Sequence, residues 1–198
     1  MYKFTKRIFD FFASLSVLLL LSPFLLIIGL WITLDSKGGV FYKQIRIGKD
    51  SNQFGLYKFR SMAAGSDKVG QITIGNDSRI TKVGNFIRKY KIDELPQLLN
   101  ILKGEMSVVG PRPEVKKYVD LYSKEQLMVL SVLPGLSDYA SIEYFDEQTV
   151  LGKAKDPNKE YIEVVMPAKL NLNLKYIAEK SIATDLKIIF RTLGKIVK

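Results

Sequence analysis

Two adjacent carboxylates in the segment Ile92-Asp-Glu-Leu-Pro-Gln97 are of a type that suits phosphate chemistry. Asp93 has the position of a helix N-cap, with Pro96 tolerated in the first turn. The dipole of a helix start favours anions, so a carboxylate there stays ionised and lies where phosphate binds. Asp93 and Glu94 could therefore serve as nucleophile and as magnesium ligand or base. For an isolated Asp-Glu pair, however, an ordinary helix start is the commoner explanation.

Basic side chains that could face such a pair lie in two other segments. Pro111 and Pro113 stiffen the backbone on both sides of Arg112 and so aim its guanidinium, which suits bidentate phosphate binding. Lys58 and Arg60 belong to a predicted strand. They could line an anionic pocket or merely a solvated sheet face.

The composition narrows the chemistry further. The 198 residues include no cysteine and no histidine, which excludes thiol catalysis, disulfides, Ser-His-Asp triads and zinc fingers. The net charge of +10 indicates an anionic partner. Because the basic residues are dispersed and no recognition motif for DNA or RNA is visible, we expect membrane phospholipids and no nucleic acid.

An uncharged stretch at positions 11–34 is long enough to span a membrane as a helix. A signal peptide competes, but no small-residue cleavage site follows the stretch. Ser22 and Pro23 interrupt it near the middle, where proline forces a kink and the Ser22 hydroxyl could bond a freed carbonyl. Basic residues flank both ends, and they favour the cytoplasmic side. The residues alone slightly favour a kinked spanning helix over a re-entrant hairpin, with a buried soluble hairpin third.

The remaining chain predicts an α+β, mainly helical fold. The basic amphipathic helices at 79–90 and 182–197 could lie in the membrane interface or pack on the core. A polar stretch at 63–78 reads as a loop that could close over a substrate. We predict strands at 40–47, 53–62 and from 106, helices at 93–104, 114–122, 124–133 and 168–180, and a strand or extended loop at 137–145.

Several segments, none specific alone, together resemble one family. They are Lys6-Arg-Ile-Phe-Asp10, Ser22-Pro23, Gln44-Ile-Arg-Ile-Gly48, Tyr57-Lys-Phe-Arg-Ser-Met62, Asp93-Glu-Leu-Pro-Gln-Leu98, Asn100, Leu102-Lys-Gly-Glu-Met-Ser107, Val109-Gly-Pro-Arg-Pro113 and Pro134-Gly135. The sequence resembles the monotopic phosphoglycosyl transferases, bacterial sugar transferases that start glycan assembly on polyprenyl phosphate. The likeness is to their minimal catalytic form, without the extra membrane domain that some relatives carry.

The resemblance implies an arrangement in the membrane. Residues 1–36 would form a re-entrant helix-break-helix that enters one leaflet, breaks at Ser22 and Pro23 and returns. Residues 37–198 would form a catalytic domain on the cytoplasmic face of the bacterial inner membrane, with amphipathic helices at the interface. A homodimer is a further expectation.

The resemblance also implies a two-step reaction. Asp93 would attack the β-phosphate of a UDP-sugar and release UMP, and polyprenyl phosphate would then take the phosphosugar from the carboxylate. Glu94 matches the position that binds Mg²⁺, and Arg112 and Arg88 match phosphate-binding positions. We expect Lys58, Arg60, Pro111 and Pro113 to complete the phosphate site.

One segment departs from the family pattern, and two rival functions remain. Positions 134–144 lack an arginine that many relatives carry, and Asp138 or Glu143 there could face an amino-sugar. A non-catalytic membrane scaffold for glycan assembly is the first rival. Direct transfer without a covalent intermediate is the second.

Overall fold

The fold is mainly helical, with four short strands among the residues that the computed structural model describes, 2–66 and 77–197. Most of the predicted loop at 63–78 thus lies outside the described residues. The strands are β1 (Phe41–Ile47), β2 (Gln53–Phe59), β3 (Ser107–Val109) and β4 (Gly135–Ser137). The α-helices are α1 (Tyr2–Asp35), α2 (Lys82–Lys89), α3 (Gln97–Lys103), α4 (Lys116–Val119), α5 (Tyr139–Glu143), α6 (Glu147–Gly152), α7 (Pro157–Glu160), α8 (Met166–Glu179) and α9 (Ile182–Val197).

Helix α1 is the long apolar segment, and in the described part of the chain it alone is long and apolar enough to cross a membrane. Pro23 lies inside the helix, which continues beyond it to Asp35. The Ser22 Oγ donates to the carbonyl of Leu19 at 2.9 Å, so it satisfies a backbone acceptor close to the proline. The predicted re-entrant path remains a prediction.

One face of α1 packs on the rest of the protein along both halves of the helix. Near its start, Arg7 donates to the carbonyl oxygens of Ile101 and Leu102 at the end of α3, at 2.5 and 2.9 Å. Near its end, Ile28 and Ile32 are buried in a cluster that includes residues of β2 and α2. The opposite face exposes large apolar side chains, among them Phe4, Phe12, Leu20, Leu26, Ile27, Leu30 and Leu34.

The four strands form two small two-stranded sheets. Strands β1 and β2 pair antiparallel, with Phe41 opposite Phe59, and β3 pairs with β4 in parallel. Beside this second pair, Gly110 and Gly135 touch backbone to backbone: a Cβ on Gly135 would lie 2.1 Å from the Gly110 nitrogen. Only glycine fits such an approach, which fixes where the following Arg112 segment leaves the sheet.

Two predicted elements differ from the structure. Positions 124–133 contain a 3-10 helix at Gln126–Ser131 instead of an α-helix, and 137–145 forms the end of β4 and then the short helix α5. Helix α5 begins because Asp138 caps it, accepting from the Ser141 amide at 2.6 Å. This capping contact cannot be distinguished from a loop turn by sequence alone.

Helices α7 and α8 are joined by a π-helical turn at Tyr161–Val165. Pro167, the second residue of α8, has no N–H to give to an α-helical hydrogen bond, which accounts for the local widening. The turn and α8 bury Tyr161, Met166 and Leu170 in the core cluster that also contains Val115. This cluster forms one wall of the cavity described next.

Candidate active site

The Asp93-Glu94 pair lies in a 3-10 turn, Ile92–Glu94, and not at the N-cap of a helix. Helix α3 begins only at Gln97, after Pro96. The predicted cap at Asp93 is therefore wrong, and Pro96 is the reason: it cannot donate an N–H, so the chain makes the 3-10 bond from Leu95 N to Ile92 O at 3.1 Å. The predicted stop at Gly104 is confirmed, with φ at 82°.

Glu94 is held by two cations. The Arg112 guanidinium donates to both of its carboxylate oxygens, one of them at 3.0 Å, and Lys58 Nζ donates at 3.2 Å. Burial by itself would raise the pKa of Glu94, but the attraction of Arg112 and Lys58 outweighs it and sets the pKa well below its usual range. Glu94 is therefore an ionised, firmly positioned carboxylate.

Asp93 has the opposite electrostatic surroundings. Its side chain is buried, and no hydrogen bond reaches its carboxylate from the described part of the chain. Burial, and next the negative charge of Glu94, raise its pKa, while Lys58 and Arg88 oppose the shift. The sequence predicted a carboxylate that the helix dipole keeps ionised; the structure instead gives Asp93 the more basic carboxylate of the pair.

The cations around this pair come from separate elements. Burial lowers the pKa of Lys58, although Glu94 partly offsets the effect, whereas Glu94 raises the pKa of Arg112. The backbone N–H of Arg112 donates to Asp138 at 3.1 Å, which fixes the turn that carries the guanidinium. Arg88 in α2 reaches the Ser61 hydroxyl at 3.4 Å. Lys58, Arg88 and Arg112 thus line one cavity, and their binding of phosphate stays a prediction.

Arg60 and the two prolines have other positions. The Arg60 guanidinium donates to the carbonyl of Gly39 at 2.6 Å and to Ser36 Oγ and O at 2.5 and 2.8 Å, at the end of α1. It does not line the cavity around Asp93. Pro113 does line it, while the Pro111 carbonyl accepts from the Gly135 amide at 2.9 Å. The predicted phosphate role of Arg60 therefore has no support in its geometry.

A cavity of about 1160 Å³ contains the carboxylate pair. Its polar region includes Asp93 and Glu94 with the cations Lys58, Arg88, Lys91 and Arg112. The lining also includes apolar side chains of two helices: Phe9, Ala13 and Val17 of α1 and Leu193 and Ile196 of α9. One cavity therefore contains both a cationic site and an apolar wall.

Some lining residues were not among the predicted site residues. Lys91 has φ at 55° and places its Nζ 4.9 Å from the centre of the Phe145 ring. Ser141 in α5 and Asn173 in α8 line the same cavity. The left-handed backbone at Lys91 has no sequence signal, since glycine or asparagine is the usual residue there. Asn173 lies in a helix whose pattern predicts only packing.

The donor set around Asp93 can be compared with what a metal needs. Within 2–66 and 77–197, no three acidic side chains cluster in a way that could enclose a metal ion. Magnesium, however, is usually held by one or two carboxylates together with substrate phosphates and water. Asp93 has free oxygens for that mode, whereas both oxygens of Glu94 already accept from Arg112, so a metal on Glu94 would have to replace one of these contacts.

The chain as a whole is similar to known proteins of one family. The family model for bacterial sugar transferases matches residues 1–198. The chain is 39% identical to the UDP-N-acetylgalactosamine-undecaprenyl-phosphate N-acetylgalactosaminephosphotransferase of Aeromonas hydrophila, over 98% of this chain and 44% of that protein. It is 38% identical to the UDP-glucose:undecaprenyl-phosphate glucose-1-phosphate transferase of Escherichia coli K12, over 96% of this chain and 39% of that protein.

A third relative matches over nearly its whole length. The exopolysaccharide production protein PSS of Rhizobium leguminosarum bv. phaseoli is 39% identical over 95% of this chain and 92% of that protein. The chain thus spans less than half of two of these relatives and most of the third. Since the family match extends over every residue from 1 to 198, the chain belongs to the bacterial sugar transferase family.

Proposed function

We propose that the chain transfers a sugar-1-phosphate from a UDP-sugar to polyprenyl phosphate, giving a polyprenyl diphosphate-linked sugar and UMP. The observation that carries the proposal is the cavity that joins a buried, uncapped Asp93 and its cations to an apolar wall on α1. The named relatives from Aeromonas and Escherichia act between a UDP-sugar and undecaprenyl phosphate. The product would be the first membrane-bound intermediate of glycoconjugate or polysaccharide assembly.

Asp93 is the proposed nucleophile. It would form a bond to the β-phosphorus of the UDP-sugar while the bond from that phosphorus to the bridging oxygen breaks, and UMP leaves with the bridging oxygen. Burial makes its carboxylate more basic than usual, and the absence of hydrogen bonds from the described residues leaves its oxygens free to attack. Glu94 cannot take this role as readily, because Arg112 and Lys58 occupy both of its oxygens.

The cations would reduce the repulsion between the Asp93 carboxylate and the anionic diphosphate. Lys58, Arg88 and Arg112 would neutralise the phosphates and the charge that develops on UMP. Arg112 is positioned from both ends, by Glu94 at its guanidinium and by Asp138 at its backbone. Pro111 and Pro113 restrict the turn between them. Mg²⁺ held by Glu94, in place of one contact with Arg112 or Lys58, would supply further neutralisation of the diphosphate charge.

The second half-reaction explains the apolar wall. The phosphate oxygen of polyprenyl phosphate would attack the phosphosugar on Asp93, which restores the free carboxylate. Its phosphate would use the same cations, and its isoprenoid chain would lie against Phe9, Ala13 and Val17 of α1. A lipid substrate therefore reaches the site from the side on which α1 exposes its apolar face.

The contacts of α1 support a re-entrant arrangement of residues 1–36, with the break region at Ser22 and Pro23. Its first turns bind the end of α3 through Arg7, and its last residue, Asp35, accepts from the Val83 amide of α2 at 3.1 Å. A helix that crossed the bilayer straight would separate its ends by the full membrane thickness. Two ends that bind one small folded unit, residues 37–198, favour a return to the same face.

That face would be the cytoplasmic side of the bacterial inner membrane, where UDP-sugars are made. The exposed apolar face of α1 and the basic, amphipathic α9 would contact acyl chains and anionic headgroups of phospholipids. Labelling of single cysteines placed at Lys3 and Lys37 tests the arrangement. Both sites should be reached from the same side; protection of one of them in sealed vesicles would refute the re-entrant path.

The reaction itself is tested by UMP release. Detergent-solubilised protein with Mg²⁺, polyprenyl phosphate and a panel of UDP-sugars should release UMP with at least one donor, and Asp93→Asn should abolish it. A scaffold without catalysis would give no UMP with any donor and would be unaffected by the substitution. The covalent step is tested by intact mass after UDP-sugar alone: a phosphosugar adduct on wild type, absent from Asp93→Asn, is expected, whereas turnover without any adduct favours direct transfer.

A further inference from the structure

Buried polar atoms without a hydrogen bond are concentrated at the cavity. In the described part of the chain four such side-chain atoms occur, and those of Ser14, Ser141 and Asn173 belong to residues that line the cavity. Buried polar groups in folded proteins are nearly always paired, so each exception needs a partner from outside the chain. Ser141 and Asn173 are the informative pair, because they lie on two helices that pack together.

Asn173 is the more constrained of the two. It is 4% exposed, and its Oδ1 is buried without a hydrogen-bond partner among the described residues. An amide in a helix interior that faced only apolar neighbours would cost free energy for each unmet donor and acceptor. Its neighbour along the helix, Asn171, is exposed to solvent and has no such constraint. The cavity wall at Asn173 is therefore built for a polar ligand.

Ser141 connects this wall to the reaction centre through two successive hydrogen bonds. Its backbone N–H donates to Asp138, and Asp138 accepts in turn from the backbone N–H of Arg112. Arg112 holds Glu94, next to the proposed nucleophile. Since Asp93, Ser141 and Asn173 line one cavity, the sugar on a phosphorus bound to Asp93 could extend to this wall.

The charges near this wall are already neutralised. Lys169 and Glu147, which also line the cavity, form an ion pair at 2.5 Å. Asp138 is fully buried and is used by α5 and Arg112, while Glu143 is exposed and outside the cavity. The sequence expectation that Asp138 or Glu143 faces an amino-sugar therefore has no support in the geometry. Neither a cationic nor an anionic sugar would find an unpaired counter-charge among these residues.

We propose that Ser141 and Asn173 determine donor specificity by hydrogen bonding an uncharged polar substituent, a hydroxyl or an acetamido group, on the sugar ring of the UDP-sugar. The inference rests on the proposed function and adds the class of sugar to it. The Asn173 amide can donate and accept at once, as can the Ser141 hydroxyl. Both therefore suit a substituent whose orientation distinguishes one neutral sugar from its epimer.

The test compares Ser141→Ala and Asn173→Ala with the matched control Asn171→Ala. For each protein, kcat/KM is measured with UDP-glucose, UDP-galactose, UDP-GlcNAc and UDP-GalNAc, together with the inhibition constant of UDP. With the best donor, each site variant should lose about three- to tenfold in kcat/KM, as expected for one lost neutral hydrogen bond. UDP inhibition and the Asn171→Ala control should stay within about twofold of wild type.

Three other outcomes are possible, and each would contradict a different statement: that the two residues contact the sugar, that they affect specificity at all, or that the chain is a transferase. Equal weakening of UDP inhibition would place these residues against the nucleotide and overturn the proposal, as would site variants that behave like Asn171→Ala. No UMP release by wild type with any donor would overturn the proposed function itself, and this inference with it. Ser141→Ala removes one oxygen atom only, so it decides the question even where Asn173→Ala lowers the melting temperature.

Discussion

Asp93 and Glu94 are sequence neighbours, but the folded protein raises the pKa of Asp93 and lowers that of Glu94. Neutral variants of the two residues should therefore change the stability of the protein in opposite directions. The folded state raises the pKa of Asp93, so its ionisation costs stability above that raised pKa and costs nothing below the usual value. At neutral pH, Asp93→Asn should therefore raise the melting temperature while it abolishes UMP release. Thermal unfolding in detergent measures the first effect; a lower melting temperature would contradict the electrostatic account.

Glu94→Gln should also abolish turnover, but it should destabilise the protein. The lowered pKa of Glu94 contributes stability that is present above its usual value and is lost as pH falls through the lowered pKa. The variant leaves Arg112 and Lys58 without their buried partner, at a cost of about 2–3 kcal/mol. Measured beside Asp93→Asn at pH 7, the two variants should shift in opposite directions.

The pH dependence of turnover follows from the same residue. Only ionised Asp93 can attack, so kcat/KM for the UDP-sugar should fall on the acid side as the pH passes through the raised pKa of Asp93. The midpoint should therefore lie above the usual aspartate value. Rates with the best donor across a pH series check this, with thermal unfolding at each pH as the control. If kcat/KM falls only at or below the usual aspartate pKa, the result would argue against Asp93 as the buried nucleophile.

At the scale of elements, Asn100 joins the site turn to the hairpin. This buried side chain accepts from the Tyr57 amide at 3.0 Å and donates to the Gly55 carbonyl at 2.8 Å, so α3 pairs with the free edge of β2. Asn100→Ala leaves both backbone groups without partners and should cost about 2–3 kcal/mol. Unfolding by denaturant measures this, with the exposed Asn171→Ala as a control that should be near neutral.

The elements also show what the sequence could and could not predict. Hydrophobic periodicity identified α2, α8 and α9, and Gly104 marked the end of α3, because these signals are local. The start of α3 was misplaced because Asp93 has the residue type of a cap while Pro96 decides the hydrogen bonding. Arg60 was assigned to phosphate because a basic residue in a strand does not reveal which carbonyls it meets. Asn173 gave no signal, since its isolation becomes visible only when α5 packs on α8.

At the scale of the whole molecule, Arg60 of the segment after β2 is bonded to the residues that follow α1. Its guanidinium reaches three acceptors at Ser36 and Gly39. Arg60→Lys keeps the charge but loses the planar fork, so we expect a lower melting temperature with KM for the UDP-sugar unchanged. Thermal unfolding and donor kinetics on the same preparation check both. A raised KM at an unchanged melting temperature would instead support the phosphate role that the sequence suggested.

The contacts of α1 have a consequence for how this protein can exist at all. Asp10 is buried and accepts from the Val108 amide of β3 at 3.1 Å, while Ile28 and Ile32 fill the cluster against β2 and α2. A fragment that began after α1 would uncover that apolar cluster and leave the Val108 amide unpaired. We therefore expect that a cut at 36–40 does not release a stable, water-soluble fragment. With α1 in the bilayer as proposed, the folded chain would stay at the membrane that contains its proposed lipid acceptor.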